Sequence, residues 1–215
     1  MFVEKWMTSN PVTLTPDTTV SSAAIQMGRH RFRHIPVAEP ISTGKKLVGM
    51  VSKYDIARAF PNNFNPFSVE VTEETVSTPV SVIMTGNVVT VTPDCAIEEA
   101  ARILRTRHIN ALPVLRQSQL IGIVTESDIF DALLSITGIA SGKSKMVVQS
   151  DSVQNSISSL AQLSQHYHLE IQSLMSFPDD KAKGKVQSVL HFATRPPTDF
   201  VQALSKLGFR ILSIS

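Results

Sequence analysis

The stretch Gly122-Ile123-Val124-Thr125-Glu126-Ser127-Asp128 reads as a short buried strand, Leu120 to Val124, running directly into a helix. Gly122 lets another group approach the backbone closely. Thr125, Ser127 and Asp128 place two hydroxyls and a carboxylate where the first N–H groups of the helix lack partners. Such a turn suits a ligand carrying both a vicinal diol and a phosphate. The carboxylate accepts from two ribose hydroxyls, and the helix N-terminus attracts the phosphate. Thr125-x-x-Asp128 is equally a helix-capping pattern. This stretch alone leaves both readings open.

Working outward, the chain contains the stretch twice. Met7-Thr8-Ser9-Asn10 through Thr15-Pro16-Asp17 aligns without a gap on Met84-Thr85-Gly86-Asn87 through Thr92-Pro93-Asp94. The register continues to Ile35-Pro36-Val37 against Leu112-Pro113-Val114. After one loop of different length, Gly49 to Asp55 matches Gly122 to Asp128. Matched segments in matched order are a tandem duplication. Each copy reads as a Thr/Val-rich strand (Val12 to Thr15, Val88 to Thr92) stopped by Pro-Asp, then helix, strand, strand, helix. Val20, Ala24 and Met27, and in the second copy Ile97, Ala101 and Leu104, recur at helical spacing. Glu98 and Arg102 lie one turn apart as a solvated pair. A β-α-β-β-α unit of this size is too small to bury its core alone, and two copies packed by a pseudo-twofold satisfy that need.

Beyond Gly142 the pattern changes. Strand (Lys145 to Gln149), helix (Val153 to His166), strand (Leu169 to Phe177), a turn over Pro178 to Gly184, strand (Lys185 to Thr194), helix (Asp199 to Leu207) and strand (Phe209 to Ile214) give the split βαβ, or ferredoxin-like, plan. Ile157, Leu160, Ala161 and Ser164 form the predicted inward stripe of its first helix. The fold class is therefore α/β (α+β). The expected domains are repeat 1 at 1–62, a linker at 63–78, repeat 2 at 79–137, a linker at 138–144 and the ferredoxin-like domain at 145–215.

Composition bounds the function. The 215 residues carry a formal charge of +2, with 42% hydrophobic and 18% charged residues. That balance is ordinary for a soluble globular protein and gives nucleic acid or an anionic membrane no electrostatic support as a partner. The single cysteine, Cys95, excludes an internal disulfide framework and a cysteine-based zinc cluster. It reads as a partly buried thiol. No apolar run reaches transmembrane length and no signal-peptide pattern opens the chain, so a cytoplasmic protein is expected. His166, His168 and His191 read as scattered polar residues rather than a metal site. No nucleophile–base–orienter set and no dinucleotide fingerprint are visible, so no enzymatic activity is expected.

The duplicated pattern resembles the tandem cystathionine-β-synthase (CBS) domain pair, or Bateman module. The resemblance rests on Met-Thr at 7–8 and 84–85, Thr-Pro-Asp before each first helix, Pro36-Val37 and Pro113-Val114, and the Gly…Ser/Thr-x-x-Asp turns. The tail looks like an ACT domain, although Ser150-Asp151-Ser152 lacks the glycine of many amino-acid-binding members. The CBS–CBS–ACT combination is similar to acetoin-utilisation regulatory proteins of the B type. The resemblance implies two clefts between the repeats that take adenosine-containing ligands: AMP, ADP, ATP or S-adenosylmethionine. Carried over, one cleft holds Thr125, Ser127 and Asp128 with Asn10, Val12 and Thr13 and with Arg33, His34, Ile35 and Pro36. The other holds Ser52 and Asp55 with Asn87 and Val89 and with Ala111, Leu112 and Pro113, preceded by Asn110.

The first cleft is the expected nucleotide site, because Arg33 and His34 meet phosphate charge. The second has Tyr54 for Ser127 and Asn110-Ala111 for Arg33-His34, so it is expected to be empty or to take an uncharged adenosine compound. Arg29 to Arg31 read as cations at a helix C-terminus. No cofactor is required, and Mg²⁺ is expected only alongside a polyphosphate. Apolar helix residues such as Ile129, Phe130, Leu133 and Leu134 predict a homodimer. The resulting expectation is a non-catalytic sensor acting on an unnamed regulated protein. A structural dimerisation module with vestigial clefts and an amino-acid sensor working through the tail are the alternatives.

Overall fold

The computed structural model describes residues 1–60, 65–67, 76–138, 144–180 and 182–215, which form two compact units, Met1–Phe130 and Asp131–Ser215. The linker predicted at 63–78 lies mostly outside the described residues, as does that at 138–144.

In the first unit, the first copy supplies β1 (Thr8–Ser9), α1 (Val20–His30), β2 (His34–Ile41), β3 (Gly44–Ser52) and α2 (Lys53–Ala59). The second supplies α3 (Ile97–Arg107), β4 (Ala111–Arg116), β5 (Gln119–Thr125) and the start of α4 (Glu126–Thr137). Helix α1 forms because Thr19 Oγ1 caps it, accepting the Ser22 N–H at 3.1 Å, while Val20, Ala23, Ala24 and Met27 bury one face. It ends at Arg31, whose φ of 57° turns the chain out of the helix. Helix α3 repeats the plan with Ile97, Ala100 and Leu104 buried and His108 at φ 53°. The hairpins β2–β3 and β4–β5 carry bulges at matched places, between Val37 and Ala38 and between Val114 and Leu115.

The repeats complete each other at their starts. The Ile97 N–H bonds to the Met1 carbonyl and the Val20 N–H to the Thr78 carbonyl, both at 2.8 Å. Likewise Val3 N–H reaches Cys95 O at 2.9 Å and Val80 N–H reaches Thr18 O at 2.8 Å. Helix α3 thus obtains a partner for an orphan N–H from the start of the first repeat, and α1 obtains one from Thr78, just ahead of the second.

The expected strands at Val12 to Thr15 and Val88 to Thr92 are not formed. Leu14 and Val91 make only single parallel bridges, to Val37 and Val114. Pro11, Pro16 and Pro93 remove ladder donors around them. The paired strand is β1, which runs antiparallel to β5 of the opposite repeat through Thr8↔Ile123 and Ser9↔Gly122, while Thr85 bridges Met50 of β3. What approaches Gly122 is therefore Met7: a Cβ at residue 122 would overlap the Met7 thioether, and one at Gly49 would overlap that of Met84.

Other details differ from expectation. Arg102 bonds Glu99, its Nε donating at 2.7 Å, because i,i+3 brings the two together, whereas Glu98 lies 3.9 Å from the N-terminal amine. Ile129 is buried, and it is Phe130, Leu133, Leu134 and Ile136 of α4 that are exposed. Burial and the neighbouring Glu99 and Asp94 carboxylates push the Cys95 thiol up from its ordinary range, so it is not an activated nucleophile.

The second unit orders β6 (Ser144–Ser150), α5 (Val153–His166), β7 (Ile171–Pro178), β8 (Val186–Phe192), α6 (Thr198–Lys206) and β9 (Arg210–Ile214). The sheet runs β7-β8-β6-β9, antiparallel throughout, which is the split βαβ topology. Met146, Val148, Leu160, Leu190, Phe192, Phe200 and Leu204 form its core. Ile157 and Ala161 face solvent; Ser156 joins Leu160 and Ser164 on the inner face of α5. Ser156 tolerates burial because its hydroxyl donates to the Ser152 carbonyl at 2.7 Å and meets the Ser150 hydroxyl. Asp151, the acidic residue of the β6–α5 loop, is paired with Lys185. Among the described residues no helix is long and apolar enough to cross a membrane.

Candidate functional site

A cavity of about 340 Å³ opens in the first unit, within the range of small-molecule pockets. Three segments build it. The extended run after β1 contributes Asn10, Pro11 and Val12; the approach to β2 contributes Arg31, Phe32, Arg33, His34 and Pro36; the β5–α4 turn contributes Ile123, Thr125, Ser127 and Asp128. Thr8 and Asn110 complete the lining. Asn10 sits at φ 46°, a left-handed conformation that asparagine tolerates, and its N–H is held by the Ile121 carbonyl at 2.8 Å. This fixes the first segment against the repeat that supplies the third.

The turn itself is tightly organised. Asp128 Oδ2 accepts the Thr125 amide at 2.7 Å and the Thr125 hydroxyl at 2.8 Å. No hydrogen bond to Oδ1 is made among the described residues, so one carboxylate oxygen caps and the other remains an acceptor. Arg33 Nη2 reaches across to donate to Ser127 Oγ at 3.4 Å, joining the basic segment of one repeat to the turn of the other. Glu126, at the same turn, accepts from Asn110 Nδ2 at 2.7 Å. His34 is held by the pairing of its backbone with Ser52. Burial, then the adjacent Arg33 charge, holds its imidazole below the ordinary range, against the opposing pull of Asp55 and Glu126. At neutral pH the cavity therefore presents two guanidiniums, a neutral imidazole and a carboxylate.

Of the residues predicted for this cleft, Asn10, Val12, Arg33, His34, Pro36, Thr125, Ser127 and Asp128 line it together. Ile35 does not: strand alternation turns it into the hydrophobic core, where it is fully buried. Thr13 is not among the lining residues either. Arg31, Phe32, Thr8 and Ile123 line it too, without being expected there, as does Asn110, which is expected in the other cleft. Arg31 reads from sequence as a helix-end charge; only its left-handed turn brings it to the rim. Asn110 reads as a member of the other cleft, but its carbonyl holds the Glu126 N–H at 3.2 Å and so keeps it beside this turn.

The second predicted set is arranged differently. Ser52 and Asp55 form a reciprocal capping box at the start of α2, with Ser52 N–H and Oγ donating to Asp55 Oδ2 at 2.8 and 2.6 Å and Asp55 N–H returning to Ser52 Oγ at 3.2 Å. Asp55 lines a hollow with Arg58, Ala59, Val82 and Ile83, whereas Val89 lines a separate recess with Glu99 and Arg102 of α3. Leu112 is fully buried; its neighbour Ala111, on the opposite face of β4, is buried against Met50 and Ile123, and Pro113 is buried as well. Asn87 is exposed. Tyr54, 69% exposed, lies against Arg58 instead of offering a small hydroxyl as Ser127 does.

Comparison with known proteins places this geometry. The CBS domain model matches residues 3–62 and 80–135, more than half of the chain, and the chain belongs to the CBS domain family. An uncharacterized protein of Methanocaldococcus jannaschii is 29% identical over 129 residues, 57% of this chain and 45% of its own length. A CBS domain-containing protein of Dictyostelium discoideum is 30% identical over 138 residues, covering 63% of this chain and 93% of that one. The chain thus spans less than half of the first relative, and only 23% of a homoserine O-acetyltransferase from Methanohalobium evestigatum that it matches at 32% identity over 60% of its own length. Among solved structures, one assigned to acetoin utilization (AcuB) in Vibrio cholerae aligns with a TM-score of 0.53 at 28% identity, over 65% of this chain and 95% of that one. The CBS domain pair of protein MJ0100, in complex with 5′-methylthioadenosine and S-adenosyl-L-methionine, aligns at 0.51 and 26% over 62% and 95%. CBSX2 in complex with AMP aligns at 0.52 and 29% over 63% and 97%.

Proposed function

We propose that this protein is a non-catalytic regulatory sensor that binds a phosphorylated adenosine ligand, AMP, ADP or ATP, in the first cleft and transmits its occupancy to a dimer or a partner protein. The observation that carries the reading is the juxtaposition of Asp128 with Arg33 and His34 around one cavity. Asp128 Oδ1, which accepts no hydrogen bond among the described residues, suits a ribose diol, and the cations suit the phosphate. Related structures holding AMP, or S-adenosylmethionine with methylthioadenosine, support an adenosine ligand as the class. Arg31 and Arg33 favour the phosphorylated members of that class over a sulfonium. Mg²⁺ enters only with a polyphosphate.

In this reading residues 1–62 and 79–137 are the two CBS repeats and 145–215 an ACT-like domain. The second cleft, with Tyr54 exposed and Ala111 buried, is empty or takes an uncharged adenosine compound. The test is a thermal-shift series with AMP, ATP, S-adenosylmethionine, adenosine and free amino acids. A ligand at a hundred times its Kd adds about 2.7 kcal/mol of stability. AMP or ATP is expected to give the largest shift; stabilisation by amino acids alone would favour a sensor acting through the tail.

A further inference from the structure

We propose that His34 makes the first cleft a proton-coupled phosphate site, taking up a proton when a 5′-phosphorylated adenosine binds. The inference rests on the nucleotide reading above and adds how the site tells a phosphate-bearing ligand from an uncharged one.

The geometry supplies every part. His34 begins β2, is anchored to Ser52 of β3, and lines the cavity with Arg31 and Arg33. The charged groups around it are Arg33 on its own segment, Asp55 of α2, and Glu126 at the start of α4; Arg31 and Asp128 line the same cavity. Both carboxylates that favour its protonation already accept hydrogen bonds, Asp55 from Ser52 and Glu126 from Asn110. His34 forms no ion pair with either among the described residues. Burial and the adjacent guanidinium therefore prevail, and the ring is uncharged at neutral pH.

A phosphate dianion entering the cavity reverses that balance, because an opposite charge within a few ångströms favours the protonated form. The arginines act in the opposite sense on the proton count. They are charged with or without ligand, and they lower the second phosphate pKa of about 6, which releases protons. Among the residues lining the cavity His34 is the one histidine, so net uptake points to it. The sign follows: the complex binds more protons than its separate components, so affinity for AMP rises as pH falls between the bound and free pKa values of His34. The limit is about tenfold per pH unit. Adenosine lacks the phosphate and its affinity stays level.

Calorimetry of the full chain with AMP and with adenosine, in buffers of different ionisation enthalpy between pH 6.5 and 8, reads this directly. Proton uptake is expected with AMP and none with adenosine, and His34→Gln is expected to abolish the uptake that accompanies AMP binding. AMP binding without proton uptake, or the same uptake in His34→Gln, overturns the inference and leaves the nucleotide reading standing. Binding of neither AMP nor adenosine overturns that reading and the inference with it. Wild-type AMP against adenosine decides the matter even if the variant does not fold.

Discussion

Asp128 holds Thr125 through a single oxygen: Oδ2 accepts both the amide and the hydroxyl of that residue, at 2.7 and 2.8 Å. The capping and the ligand-binding readings of this turn therefore do not compete, because they use different oxygens of one carboxylate. Asp128→Asn keeps an oxygen for Thr125 and loses only the negative charge in the first turn of α4, so stability should fall by no more than about 1 kcal/mol. Removal of the charge and introduction of a donor toward the ribose should lower nucleotide affinity by roughly 1.5–3 kcal/mol, about ten- to a hundredfold. Calorimetry beside a melting curve checks both halves. Unchanged affinity would reduce the residue to a cap.

Arg33 spans the cavity to Ser127, and a phosphate offers it a stronger, charge-assisted acceptor than that hydroxyl. Arg33→Ala should weaken AMP by about 1.5–3 kcal/mol and adenosine far less. Equal losses for the two ligands would show that the guanidinium does not meet the phosphate.

The outer face of α4 leaves Phe130 66%, Leu133 48% and Leu134 45% exposed. Apolar surface of that kind on one helix favours association, and a twofold homodimer is expected. Light scattering should return twice the chain mass at micromolar concentration. Phe130→Glu should shift the protein toward monomer without unfolding it, and a wild-type monomer would remove the prediction.

Gly122 is occupied from above by Met7. Gly122→Ala places a methyl against the thioether, and overpacking of this kind costs about 1–3 kcal/mol. Shortening the partner in Met7→Ala should recover part of the loss in the double variant. Denaturant midpoints for the four proteins of that cycle measure the coupling. Additive effects would mean that the two residues do not meet.

Much of this was legible from the residues because the duplication repeats its evidence. Eight of the residues predicted for the first cleft line one cavity, since the hydroxyl–carboxylate turn and the Arg-His-x-Pro approach are local patterns. What escaped depends on partners distant in sequence. Ile35 alternates with His34 and Pro36 along β2, and which of them faces the core depends on how β2 packs against α1 and α2. The true first strand, Thr8–Ser9, is too short to carry periodicity and exists only through β5 of the other repeat. Gly122 announces a close approach but not by whom. In the tail, Ile157 looks like core and Ser156 like surface until the serine hydroxyls are seen to satisfy one another.

The exchange of backbone bonds at the repeat starts makes the two halves interdependent. Met1 serves Ile97 and Thr78 serves Val20, so a repeat standing alone would have to leave the first turn of its helix to water or to a second copy of itself. Within one chain the halves keep this exchange while differing at the cleft, with Arg33-His34 on one side and Asn110-Ala111 on the other.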